Sequence, residues 1–503
     1  MKINTQLLDK ISMSYVILPL IIFFFGWLNT TTLLIALTSL FLIIKFIFKN
    51  IKKTELEIDN KLILMTIILC ALWSYFSGIG GFIHQSTDWH MRNAIFRDLI
   101  NYSYPVIYDN GSALVYYFST FLPSTIIGKI SLFLGSTEQQ SFFIANIFNF
   151  LYCTLGLILI TLEIYVYTKA KKNSKIWILF IFILFSGMDI LLVPSKYMIE
   201  FLHIDRHYHL QYSSNSTLLF WVYNQAIIPW LITILFLRNY KRVENFGFYG
   251  TLLFFNSPLP FVGLAIYLGI IGITDFIKRI NTKHLTKYLK KIFSIQNILS
   301  IFIVLPITYL FYSSNETAGA DKLNFIYHKG TLIFCLMFIF LEAGAYLLLI
   351  KDKFKNNIIY IITLLSLISF PFLQIGTQPD LCMRASICGL FTLMLLVIKF
   401  LNDKNIEKSR KCFIIICLCI GAVTPYYEIY RGIYYTFVNP QIIVKDEIQT
   451  LNNKIKKGNV MKILTMNDII PNYGNYNNYG TLNPKEEIFF KYLSKINKIK
   501  TTK

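Results

Sequence analysis

Charge is scarce in this chain, and acidic charge is the scarcest. Of 503 residues only 15% are charged, with 27 acids against 48 lysines and arginines. Soluble domains carry about a quarter of their residues charged, so a water-soluble globular fold is excluded. The hydrophobic share is 55%, and the mean hydropathy is +0.54. Paired cysteines are also lacking. The eight cysteines form no CxxC pair and no Cys/His cluster of zinc spacing, and most lie inside apolar runs. They read as small hydrophobes, which argues against a disulfide framework or a metal-thiolate centre. No cleavable leader is expected, because residues 1–13 are polar and the next apolar run lacks a small-residue cleavage site. There is no repeat of solenoid period, and no alternation of the kind a membrane β-barrel needs.

What the chain does have is a series of apolar runs of roughly 17 to 25 residues, the length of a spanning helix. Helices satisfy every backbone group within lipid. Spans are predicted at residues 14–29, 32–48, 62–82, 141–168, 175–193, 217–237, 296–312, 331–350, 358–376, 384–401 and 412–426. Residues 246–277 are broken by Pro258 and Pro260 and read as a pair of short helices. Residues 113–134 are apolar but hold Pro123 and Lys129. If they crossed, the lysine-rich loop 169–175 would fall outside, against the positive-inside rule, so they are assigned to the outer interface.

The fold class is therefore an all-α polytopic membrane protein with about 13 transmembrane helices. The bundle is expected over residues 1–426, with a long first outer loop, 83–140, carrying interfacial helices, and a second outer loop at 194–216. Residues 427–503 form a small C-terminal extracytoplasmic segment, with helices at 444–457 and 484–497 and a strand at 460–466. The location is the cell's inner (plasma) membrane, amino end cytoplasmic and carboxyl end extracytoplasmic. The net charge of +21 would suggest nucleic acid in a soluble protein. Here the lysines lie in short loops and the tail, so membrane lipid is the partner expected and nucleic acid is not.

One polar stretch stands out. Residues 84–112, HQSTDWHMRNAIFRDLINYSYPVIYDNGS, directly follow the third apolar run. They carry Asp88, His90, Arg92, Asn93, Arg97, Asp98 and Asp109. Ionisable groups at the end of a spanning helix are functional candidates. On a helix Asp88 and Arg92 share a face and Asp98 falls on another. A carboxylate beside an arginine suits glycosyl transfer at the membrane surface. The carboxylate takes a proton from an attacking hydroxyl, and the arginine holds the departing lipid phosphate through paired hydrogen bonds. The same spacing also makes a plain ion pair that pins the loop.

Other candidates lie further along. The second outer loop holds His203, Asp205, Arg206, His207 and His209, but their spacing is not that of a metal site. No metal and no cofactor are expected. Arg206 is read as a phosphate contact, with His207 beside it as a substrate contact. Asp380 caps a predicted helix and Arg384 enters the bilayer in its first turn. Phosphate binding and snorkelling to the headgroups both account for Arg384. Trp221, Tyr223, Asn224, Gln225, Pro229 and Trp230 mark an interrupted helix, the tryptophans suiting an aromatic belt. Glu342, in mid-helix, is either a proton relay or a bond to a neighbouring helix.

This arrangement resembles the GT-C superfamily of integral membrane glycosyltransferases. The resemblance rests on an acid, Asp88, opening a long first outer loop just after a spanning helix, on about a dozen spans, and on a C-terminal outer segment. It implies that Asp88 is the catalytic base or its supporter, and that the donor is a polyprenyl-phosphate-linked sugar. The acceptor is then an envelope glycan or glycolipid, and the anomeric carbon is inverted. His90, Arg92, Arg97, Arg206, His207, Asp380 and Arg384 are the candidates for substrate binding. Two features depart from the family pattern. Two extra helices precede the acid, and the usual D-x-D or E-x-D pair is replaced by Asp88-x-His90. The alternatives are a repeat-unit polymerase of the O-antigen or capsule type, and a lipid-linked-sugar flippase or transporter.

Overall fold

The computed structural model describes residues 2–49, 51, 54–86, 88–169, 175–192, 206–207, 210–318, 323–325, 332–375, 379–439 and 479–496. Among these, eight helices are long and apolar enough to cross a membrane, or nine when the bent pair Asn215–Gln225 and Ile227–Arg238 is one span. Strands are two or three residues long. The protein is thus an all-α, multi-pass membrane protein. The remaining apolar helices are shorter: Asn60–Phe76, Ile176–Leu192, Ile358–Phe372 and, before the proline break, Phe246–Asn256.

The bundle is built around Asp380–Asn402. That helix and Thr30–Lys49 have the same mean hydropathy of 2.2, yet 94% of the first and 28% of the second are buried by other residues. Pro258–Ile277, Ile358–Ser369, Ile227–Arg238 and Ala345–Phe354 all pack on the central helix. The crossing with Pro258–Ile277 depends on Gly263, where an added Cβ would lie 2.1 Å from the Ala385 carbonyl oxygen. Small residues let membrane helices approach this closely.

Several elements differ from the sequence reading. The first helix begins at Thr5 rather than residue 14, because the Asn4 side chain caps it through Gln6 N–H. The third ends at Phe76, not residue 82. Gly78, Gly80 and Gly81 adopt φ of 87°, 94° and 72°, and turn the chain there. The predicted span 217–237 bends by 99° at its Tyr223–Gln225 turn. The last span continues through Val423–Ile433 to a π-type turn at Tyr434–Val438, past residue 426. Near the carboxyl end the expected helix 484–497 is replaced by a π-type turn, Phe489–Leu493. The predicted elements at 444–457 and 460–466 lie outside the described residues.

Long-range pairs sort the helix ends into two faces. Strand Lys2–Asn4 pairs antiparallel with Glu55–Glu57. At the same face Arg238 binds both Asp9 and Glu163, with Ser12 donating to Glu163 at 2.9 Å. Arg238 is the cation of a buried triad. At the opposite face Leu28 bridges Ser494, and Gly480–Thr481 pairs with Ala113–Leu114. Phe489 seals this end, its ring 6.1 Å from Phe23 and 5.2 Å from Phe311.

Candidate functional site

The site lies at the second face and starts from the glycine turn after Phe76. Gln85 donates to the Gly78 carbonyl and accepts from Asn93, both at 2.8 Å. These bonds fix the start of helix Trp89–Asn101. Trp89 anchors it further, its ring stacked on Tyr223 at 4.9 Å and its Nε1 donating to the Phe220 carbonyl at 2.8 Å. Ten of its thirteen residues are buried by the chain itself. The outer-loop helix Leu122–Phe133 packs against it. At twelve residues it is about 18 Å long, short of a hydrocarbon core of about 30 Å.

Asp88 stands at the N-terminus of Trp89–Asn101 but makes no capping bond. Its Oδ2 accepts from Arg92 Nη2 at 3.2 Å instead. Arg384 repeats the pattern one segment away, pairing with Asp380 at 3.1 Å. Asp380 is the first helical residue and does not cap its helix, Pro379 occupying the cap position. In each pair the arginine is buried and the acid is open: 7% against 43% exposure for Arg92 and Asp88, 13% against 46% for Arg384 and Asp380.

Asp88, Asp380 and Arg384 line one cavity of about 140 Å³, with Gln211, Ser213 and Trp221 among others, and Arg92 reaches it only through Asp88. The volume is several times the roughly 30 Å³ of one water. Three tyrosines close it from behind. Tyr117 Oη accepts from Arg384 Nη1 at 2.7 Å, and the Tyr116 ring lies 3.9 Å from Tyr117 and 4.9 Å from Tyr479. Burial pushes the Tyr116 and Tyr479 hydroxyls upward, while Arg92 and Arg384 both pull them down. Both guanidinium groups therefore lie within electrostatic reach of the same two rings. Tyr479 is brought in from the carboxyl end, where its carbonyl accepts from Val115 N–H at 3.0 Å.

The arginines are incompletely satisfied. Arg92 Nε and Nη1 and Arg384 Nε are buried without a hydrogen-bond partner. Each unmet buried donor costs about 1–3 kcal/mol, and guanidinium is the side chain best suited to a two-oxygen acceptor. Mutual repulsion of the arginines does not by itself call for a bound anion, because Asp88 and Asp380 balance their charges. The unmet N–H groups are what point to a missing acceptor.

Other candidates stand elsewhere. His90 is half-buried on the Asp88 helix but does not line the cavity. Arg97 sits 5.4 Å over the Phe142 ring, near Glu138 and Asp98, and burial lowers its pKa. It is thus held apart from the cavity, a turn and a half along its helix. Arg206 and His207 form a short strand with Leu210–Gln211. The register sets Arg206 opposite Gln211, which lines the cavity; their side chains lie outside the described residues.

Sequence reasoning missed Tyr116, Tyr117 and Tyr479, and missed Glu428, which accepts from Trp221 Nε1 at 3.2 Å and Arg431 Nη2 at 2.6 Å. Trp221, read as a belt residue, is thus tied into the cavity wall. Among the described residues no group of three or more His, Cys, Asp or Glu could hold a metal ion. No protein-family model, curated protein or solved structure matches the chain.

Proposed function

We propose that this protein is a membrane glycosyltransferase of the GT-C kind, working on a sugar linked to a polyprenyl phosphate at the outer face of the plasma membrane. One observation carries the reading. Two arginines from distant segments, each with buried uncommitted N–H groups, pair with open carboxylates that line one small cavity; Arg384 lines it too, and Arg92 stands behind Asp88.

In this reading Arg92 and Arg384 hold the phosphate of the donor through the N–H groups they leave unfilled, as bidentate charge-assisted bonds. Tyr117 keeps Arg384 in place. An acceptor hydroxyl attacks the anomeric carbon from the side opposite the phosphate. Asp88 takes the hydroxyl proton as the new C–O bond forms. The bond from the anomeric carbon to the phosphate oxygen breaks, and the electron pair leaves with the polyprenyl phosphate. The guanidinium groups stabilise that developing charge. Asp88 is open enough to meet an acceptor, and its bond to Arg92 fixes the direction in which its carboxylate points. No step calls for a metal.

The test is a vesicle assay with a panel of radiolabelled polyprenyl-phosphate hexoses and a crude glycolipid acceptor. Asp88→Asn keeps the shape of the side chain and removes the base. It should lower transfer by about 10²–10⁴-fold, with the protein still present in the membrane at normal level. Transfer at the wild-type rate by Asp88→Asn would reduce Asp88–Arg92 to a structural ion pair. Donor lipid moved across the bilayer without sugar release would favour a flippase.

A further inference from the structure

A second, larger cavity lies at the other face. It encloses about 1070 Å³ between the ends of Glu138–Thr168, Ala345–Phe354 and Asp380–Asn402 and the starts of Lys175–Leu184 and Lys408–Gly421. Arg384 and Lys399 are fifteen residues apart on one helix, so the two cavities are about 22 Å apart along its axis. The second cavity is therefore no part of the Asp88 site.

Its lining is amphiphilic. The walls are apolar, with Trp177, Phe180, Leu184 and Ile415 among them, and Phe180 and Ile415 are exposed to the surroundings. The rim carries Lys169, Lys353, Lys399, Lys404 and Lys411 against one acid, Asp403. Asp403 is already engaged, accepting from Lys353 at 2.5 Å, and that bond holds its carboxyl below the usual range. Lys411 donates to the Asp403 backbone carbonyl. The Lys399 ammonium lies 3.4 Å from the Tyr167 ring centre, and Lys404 is exposed. Lysines at helix ends commonly snorkel to any headgroup. Here they ring the mouth of an open cavity between helix bodies, with more positive charge than the one acid neutralises.

We propose that this cavity is a binding site for an anionic phospholipid, its acyl chain against Trp177 and Phe180 and its phosphate headgroup at Lys399 and Lys404. Basic pockets between transmembrane helices recognise such headgroups. The proposal does not depend on the transferase reading.

Trp177 supplies the probe. The full-length protein is placed in phosphatidylcholine nanodiscs containing either dibrominated phosphatidylglycerol or dibrominated phosphatidylcholine at equal mole fraction. The Trp177 signal is the difference between wild type and Trp177→Phe. Bromines on phosphatidylglycerol should quench it roughly fivefold more effectively, the preference that one lysine near anionic lipid gives. The preference should vanish in the double variant Lys399→Gln/Lys404→Gln and persist in Lys399→Arg/Lys404→Arg. Equal quenching by the two lipids in the wild type would reduce the site to ordinary lipid contact and overturn the proposal. So would a preference that survives the glutamine variant. Loss of the preference on adding inorganic phosphate would show that a headgroup anion alone suffices, and would overturn the lipid assignment. Should the glutamine variant fail to fold, the wild-type comparison still decides.

Discussion

At the scale of single residues, Arg92 and Arg384 are tied to their acids through one nitrogen each, Nη2, while other N–H groups wait unfilled. Arg92→Lys and Arg384→Lys keep the charge and lose the planar fork. Each should raise the donor KM about tenfold, the loss of roughly one hydrogen bond to a charged group, with a smaller effect on thermal stability. Steady-state kinetics beside a melting curve separates the two. Lys129 gives a pH test away from the cavity. Its ammonium donates to the Ile100 carbonyl at 3.1 Å and to that of Tyr102, and faces the Tyr104 ring. Burial lowers its pKa to about 8, below an unfolded value of about 10.4. Between these values the unfolded chain binds more protons than the folded one, so stability from this residue rises with pH. The unfolding free energy of the wild type should climb more steeply from pH 8 to 10 than that of Lys129→Met, by up to about 2 kcal/mol, and its melting temperature with it. Equal slopes would show that the two carbonyls offset the burial. The Asp88–Arg92 pair was legible in the sequence because it needs only helical spacing. The tyrosines were not, because Tyr479 meets Tyr116 across more than 360 residues. Asp9 was missed because it lies in the stretch 1–13 read as polar, and Glu163 because a lone acid vanishes in the average of an apolar window.

At the scale of elements, the sequence revealed where helices exist more clearly than how they are used. The apolar runs marked nearly every span, and the Pro258 break separated Phe246–Asn256 from Pro258–Ile277 as expected. Burial was not legible, since lipid and protein interior select the same residues. Equal hydropathy gave no sign that Asp380–Asn402 is central and Thr30–Lys49 peripheral. Local chemistry could have corrected two boundaries: the glycines at 78, 80 and 81 forecast the end of the third helix, and Asn4 the start of the first. Gly263 ties an element to the site, because its neighbour Ala385 follows Arg384 on the central helix. Gly263→Ala must push the two helices apart, as 2.1 Å to a backbone oxygen leaves no room for a methyl group. Overpacking of this kind costs about 1–3 kcal/mol. Transfer should fall along with stability as Arg384 shifts, whereas Gly269→Ala, with open space around its position, should leave both unchanged. A Gly263→Ala protein that melts and transfers like the wild type would show that the crossing relaxes without moving the site.

At the scale of the whole molecule, the long-range pairs decide which helix ends share a face, and the lysines then set the direction. The strand pair Lys2–Asn4 with Glu55–Glu57 puts the amino end and the loop before Asn60 on one side. Asp88 follows the next helix and so belongs to the other side. Asp380 opens the central helix on that same side, because both acids line one cavity. The number of crossings between them must then be even. Among the described residues, counting the bent pair and the four short apolar helices as crossings is one way to satisfy this. The lysines and arginines around Arg238, Arg242, Lys291, Lys353, Lys404 and Lys411 collect at the face of the amino end, opposite Asp88. By the positive-inside rule we read that face as cytoplasmic, and the Asp88 cavity, with the segment that carries Tyr479, as outside. Reporter fusions read this directly. A fusion after Lys175 or Arg242 should be active as a cytoplasmic reporter, and one after Lys503 as an exported reporter. A cytoplasmic signal from the Lys503 fusion would reverse this assignment, because Gly480–Thr481 pairs with Ala113–Leu114 and takes that face with it. It would also move the cavity to the side from which lipid-linked sugars are first made, and the donor would reach Asp88 without crossing the bilayer.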